Sequence, residues 1–197
     1  MTRGRPLSRS FYGRDAETVA KDLLGAILVV RSPGAERRAR IVETEAYVGP
    51  HDLACHAAKG RTARTEVMFG PPGHAYVYFI YGMYDMLNVV TGGVDDPQAV
   101  LIRAAEPLEG LDAALDGPGK LTRALGITRA LNGADLCRGP LVIVAGEHPR
   151  HVETTPRIGV DYAGEWKNAP LRFYDRDSGH VSRVPSARRH PRRSRGS

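Results

Sequence analysis

The sequence predicts a single α+β domain, and three observations carry that expectation. The chain has 197 residues, 42% hydrophobic and 25% charged, which suits one globular unit with one substantial core. Near the start, apolar residues recur with a helical period. Further on, several short runs alternate or cluster as strands do, with turn residues between them. No internal repeat is present.

Taken in order, residues 1–10 carry little to bury and are expected to be disordered. The stretch from Asp15 to Leu24 reads as a helix with Ala16, Val19, Ala20, Leu23 and Leu24 on one stripe and Gly25 as its stop. Ala26 to Val30 is a short buried strand, followed by a turn over Ser32 to Glu36. Arg40 to Val48 is the next strand. Straight alternation there puts Val42, Thr44, Ala46 and Val48 on one face and Ile41, Glu43, Glu45 and Tyr47 on the other. Two carboxylates beside a phenol make the second face a candidate site, although a solvated strand edge gives the same pattern.

A long glycine-rich, partly basic connection runs from Gly49 to His74, the kind of ordered loop that carries function. His51, Asp52, Cys55 and His56 lie in it, but their spacing matches no standard zinc pattern, so a hydrogen-bonding or stacking histidine is expected rather than a metal. Ala75 to Val90 reads as two strands joined at Tyr81, Gly82 and Met83. That turn is unusually apolar, which suits either packing on a neighbour or entry into a partner. Gly117 opens a further helix with Leu121, Ala124 and Leu125 on its buried side, and its free amides with Lys120 suit either a plain cap or a backbone phosphate. The GxxxxGK[ST] pattern of nucleotide hydrolases is missing. Leu141 to Ala145 is a strand, and Arg157 to Tyr174 adds another strand and a loop in which Trp166 is expected to fill the core. From residue 184 the Ser/Pro/Arg tail is expected to be disordered, so the folded domain spans 11–183.

The formal charge of +6 is concentrated at the ends. Arg183, Arg188, Arg189, Arg192, Arg193 and Arg195 are accompanied by no acid, which leaves residues 1–182 neutral. Arg3, Arg5, Arg9 and Arg14 are likewise alone, which leaves 15–182 at −4. Such ends could grip phosphates without sequence preference; deleting residues 184–197 would then weaken binding to all duplexes and flatten its salt dependence. The two cysteines, Cys55 and Cys137, form no CxxC pair and suit a reduced compartment without a disulfide framework. No apolar run is long enough for a signal peptide or a membrane span, so a soluble intracellular protein is expected.

Several long motifs, in order, resemble the alkyladenine (3-methyladenine) DNA glycosylase family. They are RIVETEAYVGPHDLACH, MFGPPGHAYVYFIYGMYDMLNVV and VLIRAAEPLEG, with GPGKLTRALGI and RIGVDYAGEWKNAPLRFY further on. The similarity runs from about Phe11 to Ser182; the Thr91 to Gln98 loop and the arginine tail depart from it. The resemblance implies a curved, mainly antiparallel sheet with flanking helices and a protruding, DNA-inserting β-hairpin. It also implies a monofunctional glycosylase that flips 3-methyladenine and 7-methylguanine, with hypoxanthine and ethenoadenine as further candidates, out of duplex DNA and leaves an abasic site, starting base excision repair.

Residue by residue, the resemblance makes Glu45 the activator of the attacking water, with Arg103 beside that water and the DNA backbone. Tyr47, His56 and Tyr78 would line the base pocket. Asn88 would crowd the exocyclic amine of ordinary guanine, and Tyr81 would fill the gap left by the flipped nucleotide, with Met83 beside it. The expected partner is double-stranded DNA containing damaged purines, acted on by a monomer without metal or organic cofactor. The expected place is the cytoplasm and nucleoid of a bacterium, or the nucleus of a eukaryote.

Elementary chemistry agrees. Aromatic walls take a base and favour the positive charge of an alkylated purine. A carboxylate can stabilise an oxocarbenium-like sugar while taking a proton from water. Glu43 could assist Glu45, although a structural salt bridge is the simpler role for it. The four lysines, Lys21, Lys59, Lys120 and Lys167, lie outside the strand motifs, so hydrolysis without strand cleavage is expected. Two other classes compete: a non-catalytic module that senses damage, and an RNA-binding domain that uses the same basic tail and stacking aromatics.

Overall fold

The computed structural model describes residues 4–80 and 82–182. The element that organises it is β2 (Ala35–Tyr47), flanked on one side by β1 (Ile27–Ser32) and, further along, by β8 (Arg172–Asp175). On its other side lies β5 (Gln98–Glu109). Beyond β5 come β4 (Tyr84–Thr91) and β3 (Ala75–Ile80); beyond β1 comes β6 (Leu141–Val144), and β7 (Val152–Thr155) pairs with β8. All pairings of this curved eight-stranded sheet are antiparallel.

Helices cover part of the sheet. α1 (Arg9–Tyr12) and α2 (Ala16–Asp22) precede it, and α3 (Pro118–Leu125) packs against β4 and β5. The α2 start follows from Asp15, whose side chain accepts the Thr18 N–H, and its end from Gly25, at φ +82°. Ala16, Val19, Ala20, Leu23 and Leu24 are buried beneath it, as the stripe predicts. Pro118 at the first turn and left-handed Gly126 just past the end bound α3 in the same sequence-readable way. Thr122 Oγ1 donates to the Asp85 carbonyl at 2.7 Å and ties α3 to the start of β4.

The straight alternation expected for β2 does not hold. Core-facing residues run Ala39, Ile41, Thr44, Ala46, with a step of three in the middle. The register explains it: Ile41 pairs with Ala105 and Glu43 with Ala104, so Val42 is an extra residue on β2. One step later Glu43 and Thr44 pair with Ala104 and Ile102, so Arg103 is an extra residue on β5. These two bulges move Ile41 into the core while Glu43, Glu45 and Tyr47 keep the opposite face.

Residues at the N-terminus also differ from expectation. Pro6 bridges Val144, the Leu7 N–H donates to the Ile143 carbonyl at 2.8 Å, and Arg9 opens α1. Leu7 and Phe11 pack against the main core, which supplies the burial that the local sequence does not reveal. Trp166 is partly buried against that core, as expected. Tyr81 and the arginines from Arg183 onward lie outside the described residues. Among the described residues no helix is long and apolar enough to cross a membrane.

Candidate active site

The strand face bearing the two glutamates forms one wall of a cavity of roughly 260 Å³, close to the lower size of ordinary small-molecule sites. Tyr47 from β2, His56 from the following loop, Tyr76 and Tyr78 from β3, Asn88 from β4 and Arg103 from β5 all line it. The chain thus brings five of the sequence-predicted residues to one place: Tyr47, His56, Tyr78, Asn88 and Arg103. Glu45, the sixth, is fully buried directly behind them.

Glu45 is held by three donors, each of which lines the cavity. Tyr47 Oη donates to its Oε2 at 3.0 Å, Arg103 Nη1 lies 3.3 Å from the same oxygen, and the Ile158 N–H donates to Oε1 at 2.7 Å. Burial, then the Glu45 charge, pushes the Tyr47 phenol well above its usual range, so Tyr47 remains a donor. Burial works against the Arg103 charge, but Glu45 and Glu43 outweigh it and strengthen that cation. The carboxylate is therefore held in place by a phenol, a guanidinium and a backbone amide.

Glu43 takes the structural role the sequence favoured, with more partners than could be read from it. Its Oε1 accepts from Arg103 Nε at 2.9 Å, Arg172 Nε at 2.7 Å and Ser182 Oγ at 2.7 Å, and its Oε2 accepts the Ser182 N–H at 2.6 Å.

The aromatic walls are interlocked. His56 Nδ1 and Tyr76 Oη are 2.9 Å apart, and the His56 ring meets the Tyr78 ring with centroids 4.5 Å apart. Burial, then the nearby Arg64 and Lys59 cations, pulls the His56 imidazole down to about 4, so it is neutral at physiological pH. Arg64 Cζ stands 5.2 Å from the Tyr78 ring centre and Arg157 Cζ 4.8 Å from that of Tyr47. Arg157 is itself buried in a two-pronged pair with Asp52 and donates from Nη1 to the Ala46 carbonyl at 2.9 Å. Asn88 Nδ2 donates to the Tyr76 carbonyl at 3.2 Å, which fixes its amide at the pocket wall.

The potential metal ligands of the loop are otherwise engaged: Asp52 by Arg157, His56 by Tyr76, and His51 against the Trp166 ring at 5.4 Å. Among the described residues no group of three or more His, Cys, Asp or Glu side chains is arranged to hold a metal. Met83 does not line this cavity; it is 67% exposed beside the turn between β3 and β4 and borders a second hollow against α3. Lys120 pairs with Asp116 at 2.9 Å on the exposed side of α3. None of the four lysines lines the cavity.

Sequence reasoning missed Tyr76, the Ile158 amide, Arg157 with Asp52, and the rim residue Tyr162, which is 70% exposed. Period-2 alternation in β3 puts Tyr76 and Tyr78 on one face, so Tyr76 had a readable signal. The other three come from chain segments more than a hundred residues from their partners.

Comparison with known proteins places this geometry in context. The model of the family described as methylpurine-DNA glycosylase matches residues 10–179. A protein of Myxococcus xanthus is 56% identical over 94% of this chain and 98% of its own. One of Methanocella arvoryzae is 53% identical over 90% of this chain and 96% of its own, and one of Legionella pneumophila is 50% identical over 91% and 100%. All three bear the provisional name 3-methyladenine DNA glycosylase.

Proposed function

The chain belongs to the methylpurine-DNA glycosylase family, a family of DNA glycosylases, and from that premise we propose that it removes alkylated purines from duplex DNA by hydrolysis. The carrying observation is the buried Glu45 carboxyl behind an aromatic cavity, held by donors that all line that cavity.

The damaged nucleotide turns out of the stack into the cavity, where Tyr47, His56 and Tyr78 replace its lost stacking. Each aromatic contact of this type is worth about 1–3 kcal/mol, against an unstacking cost of a few kcal/mol that is least for a damaged base. Tyr81 and Met83 occupy the space the nucleotide leaves, as apolar wedges do at unstacked steps. A neutral His56 suits a cationic 3-methyladenine or 7-methylguanine, since a protonated imidazole in the wall would repel it. Asn88, fixed by the Tyr76 carbonyl, leaves little room for the exocyclic amine of normal guanine.

In the reaction the C1′–N bond breaks and its electron pair goes to the leaving purine, which neutralises an alkylated cation. A water oxygen bonds to C1′ and its proton goes to Glu45, whose charge also stabilises the oxocarbenium-like sugar. Arg103 and Tyr47 aim the carboxylate. With no lysine at the cavity, the product is an abasic site in an uncut strand, and a borohydride-trapped protein–DNA adduct would contradict this.

The test is single-turnover release of 3-methyladenine and of hypoxanthine from duplex DNA by the wild type and by Glu45→Gln, with lesion binding measured in parallel. Release should fall by about a hundredfold or more in the variant while binding is kept. Binding by both proteins with release by neither would instead favour a module that senses damage.

A further inference from the structure

We infer that Glu43, held by Arg172 and Ser182, is a positioning residue that aims Arg103 at Glu45, so that Ser182 forms part of the catalytic assembly. The inference rests on the reading of Glu45 as the base.

Arg103 is the extra residue of the β5 bulge, so the ladder on either side does not by itself fix where its side chain goes. Its Nε is taken by Glu43 at 2.9 Å, which leaves Nη1 directed at Glu45, 3.3 Å away. Glu43 can hold this orientation only if it is itself immobile. Arg172 Nε fixes it from β8, and Ser182 fixes both of its oxygens, through Oγ to Oε1 and the backbone N–H to Oε2. Arg172 is anchored in turn by Thr155 Oγ1 at 3.1 Å. Ser182 lies beyond residue 179, where the family match ends, and Arg103 Nη2 reaches its Oγ at 3.5 Å.

The charges also balance: two buried carboxylates, Glu43 and Glu45, face two buried guanidiniums, Arg103 and Arg172. The other ionisable groups acting on Glu45 are Tyr47 on β2, Tyr78 on β3 and Arg157, whose own charge is matched by Asp52. Removing the Glu43 charge therefore leaves Glu45 facing one unmatched cation. A carboxylate in that position holds its proton less strongly and is a weaker base.

The experiment is single-turnover release of 3-methyladenine against pH by wild type, Glu45→Gln, Glu43→Gln, Ser182→Ala and Ser182→Thr, all in the full chain, with folded fraction and lesion binding measured for each. Glu43→Gln should lower the plateau rate of the folded enzyme by about tenfold and move the acid limb down by about one pH unit. Ser182→Ala, which keeps the Glu43 charge, should lower the rate without moving the limb, and Ser182→Thr should restore it. Loss of release in Glu45→Gln alone, with Glu43→Gln matching wild type in plateau and limb, overturns the inference and leaves the base assignment standing. Release that survives in Glu45→Gln overturns the base assignment and the inference with it. If Glu43→Gln fails to fold, the serine pair decides: an unchanged rate in Ser182→Ala overturns the inference, and a loss that threonine restores supports it.

Discussion

Replacing Asp52 by Asn tests whether the loop that delivers His56 is locked to the sheet by a buried ion pair. Both Asp52 and the Arg157 side chain are fully buried. The carboxylate accepts from Arg157 Nη2 at 2.8 Å and from Nη1, from the Ala54 N–H at 3.0 Å and from the Val48 N–H at 3.3 Å. An asparagine keeps the shape but removes the charge and turns one acceptor into a donor aimed at a guanidinium. Arg157 is then left buried without a counterion, which costs about 3–5 kcal/mol. At about 2–4 °C per kcal/mol for a domain of this size, the melting temperature should fall by roughly 6–20 °C. Because Arg157 stands over the Tyr47 ring and bonds the Ala46 carbonyl, lesion binding should weaken even at temperatures where the variant is folded. Thermal and urea unfolding measure the first effect, and duplex-lesion titration the second. A loss below about 1 kcal/mol would show that the pair is replaceable and that the loop is held by packing alone.

Other perturbations follow from the same geometry. His56 titrates near 4 in the folded protein against 6.5 unfolded, so the unfolded chain takes up the proton first and stability falls as pH drops from about 6.5 towards 4. The full effect is roughly 3 kcal/mol, and His56→Asn should flatten the slope of urea-measured stability across that window. At Gly119 an added Cβ would sit 2.6 Å from Tyr84 Cδ1, so Gly119→Ala should destabilise by about 1–3 kcal/mol in thermal unfolding. Arg64→Gln removes a cation near the Tyr78 face and should raise release of cationic 7-methylguanine relative to neutral hypoxanthine; an unchanged ratio in parallel single-turnover assays would show that solvent screens this charge completely.

Local pattern was enough for much of the fold. The α2 stripe, the caps of α2 and α3, and the strand pair around Tyr81 follow from periodicity and from Asp, Pro and Gly at their expected positions. Five wall residues were found through motifs, because each sits in a long, specific run. What local pattern could not supply is pairing across the chain. Arg172 and Ser182 meet Glu43 across 129 and 139 residues, and nothing near either end of those contacts announces the other. The N-terminal residues are similar: Pro6 and Leu7 are ordered by β6, whose sequence lies far downstream. The bulges at Val42 and Arg103 carry no glycine or proline to mark them, so alternation read straight through both.

The bulge at Val42 also says something about how this strand tolerates change in length. It acts as a phase break: before it the odd-numbered Ala39 and Ile41 face the core, and after it the even-numbered Thr44 and Ala46 do. Deleting Val42 would leave Ile41–Ala105 and Glu43–Ala104 as successive pairs, so Ala39 and Ile41 would keep the core face and Glu43, Glu45 and Tyr47 the cavity face. Deleting Ala46, which stands in a regularly paired stretch, would instead put Tyr47 on the core face. A length-variant library across 39–46 should therefore tolerate the loss of Val42 and reject the loss of Ala46, and the reverse result would refute this reading of the bulge. The two stretches of β2 on either side of this joint each keep their own phase, so a change of length at the joint is the one the strand can take up.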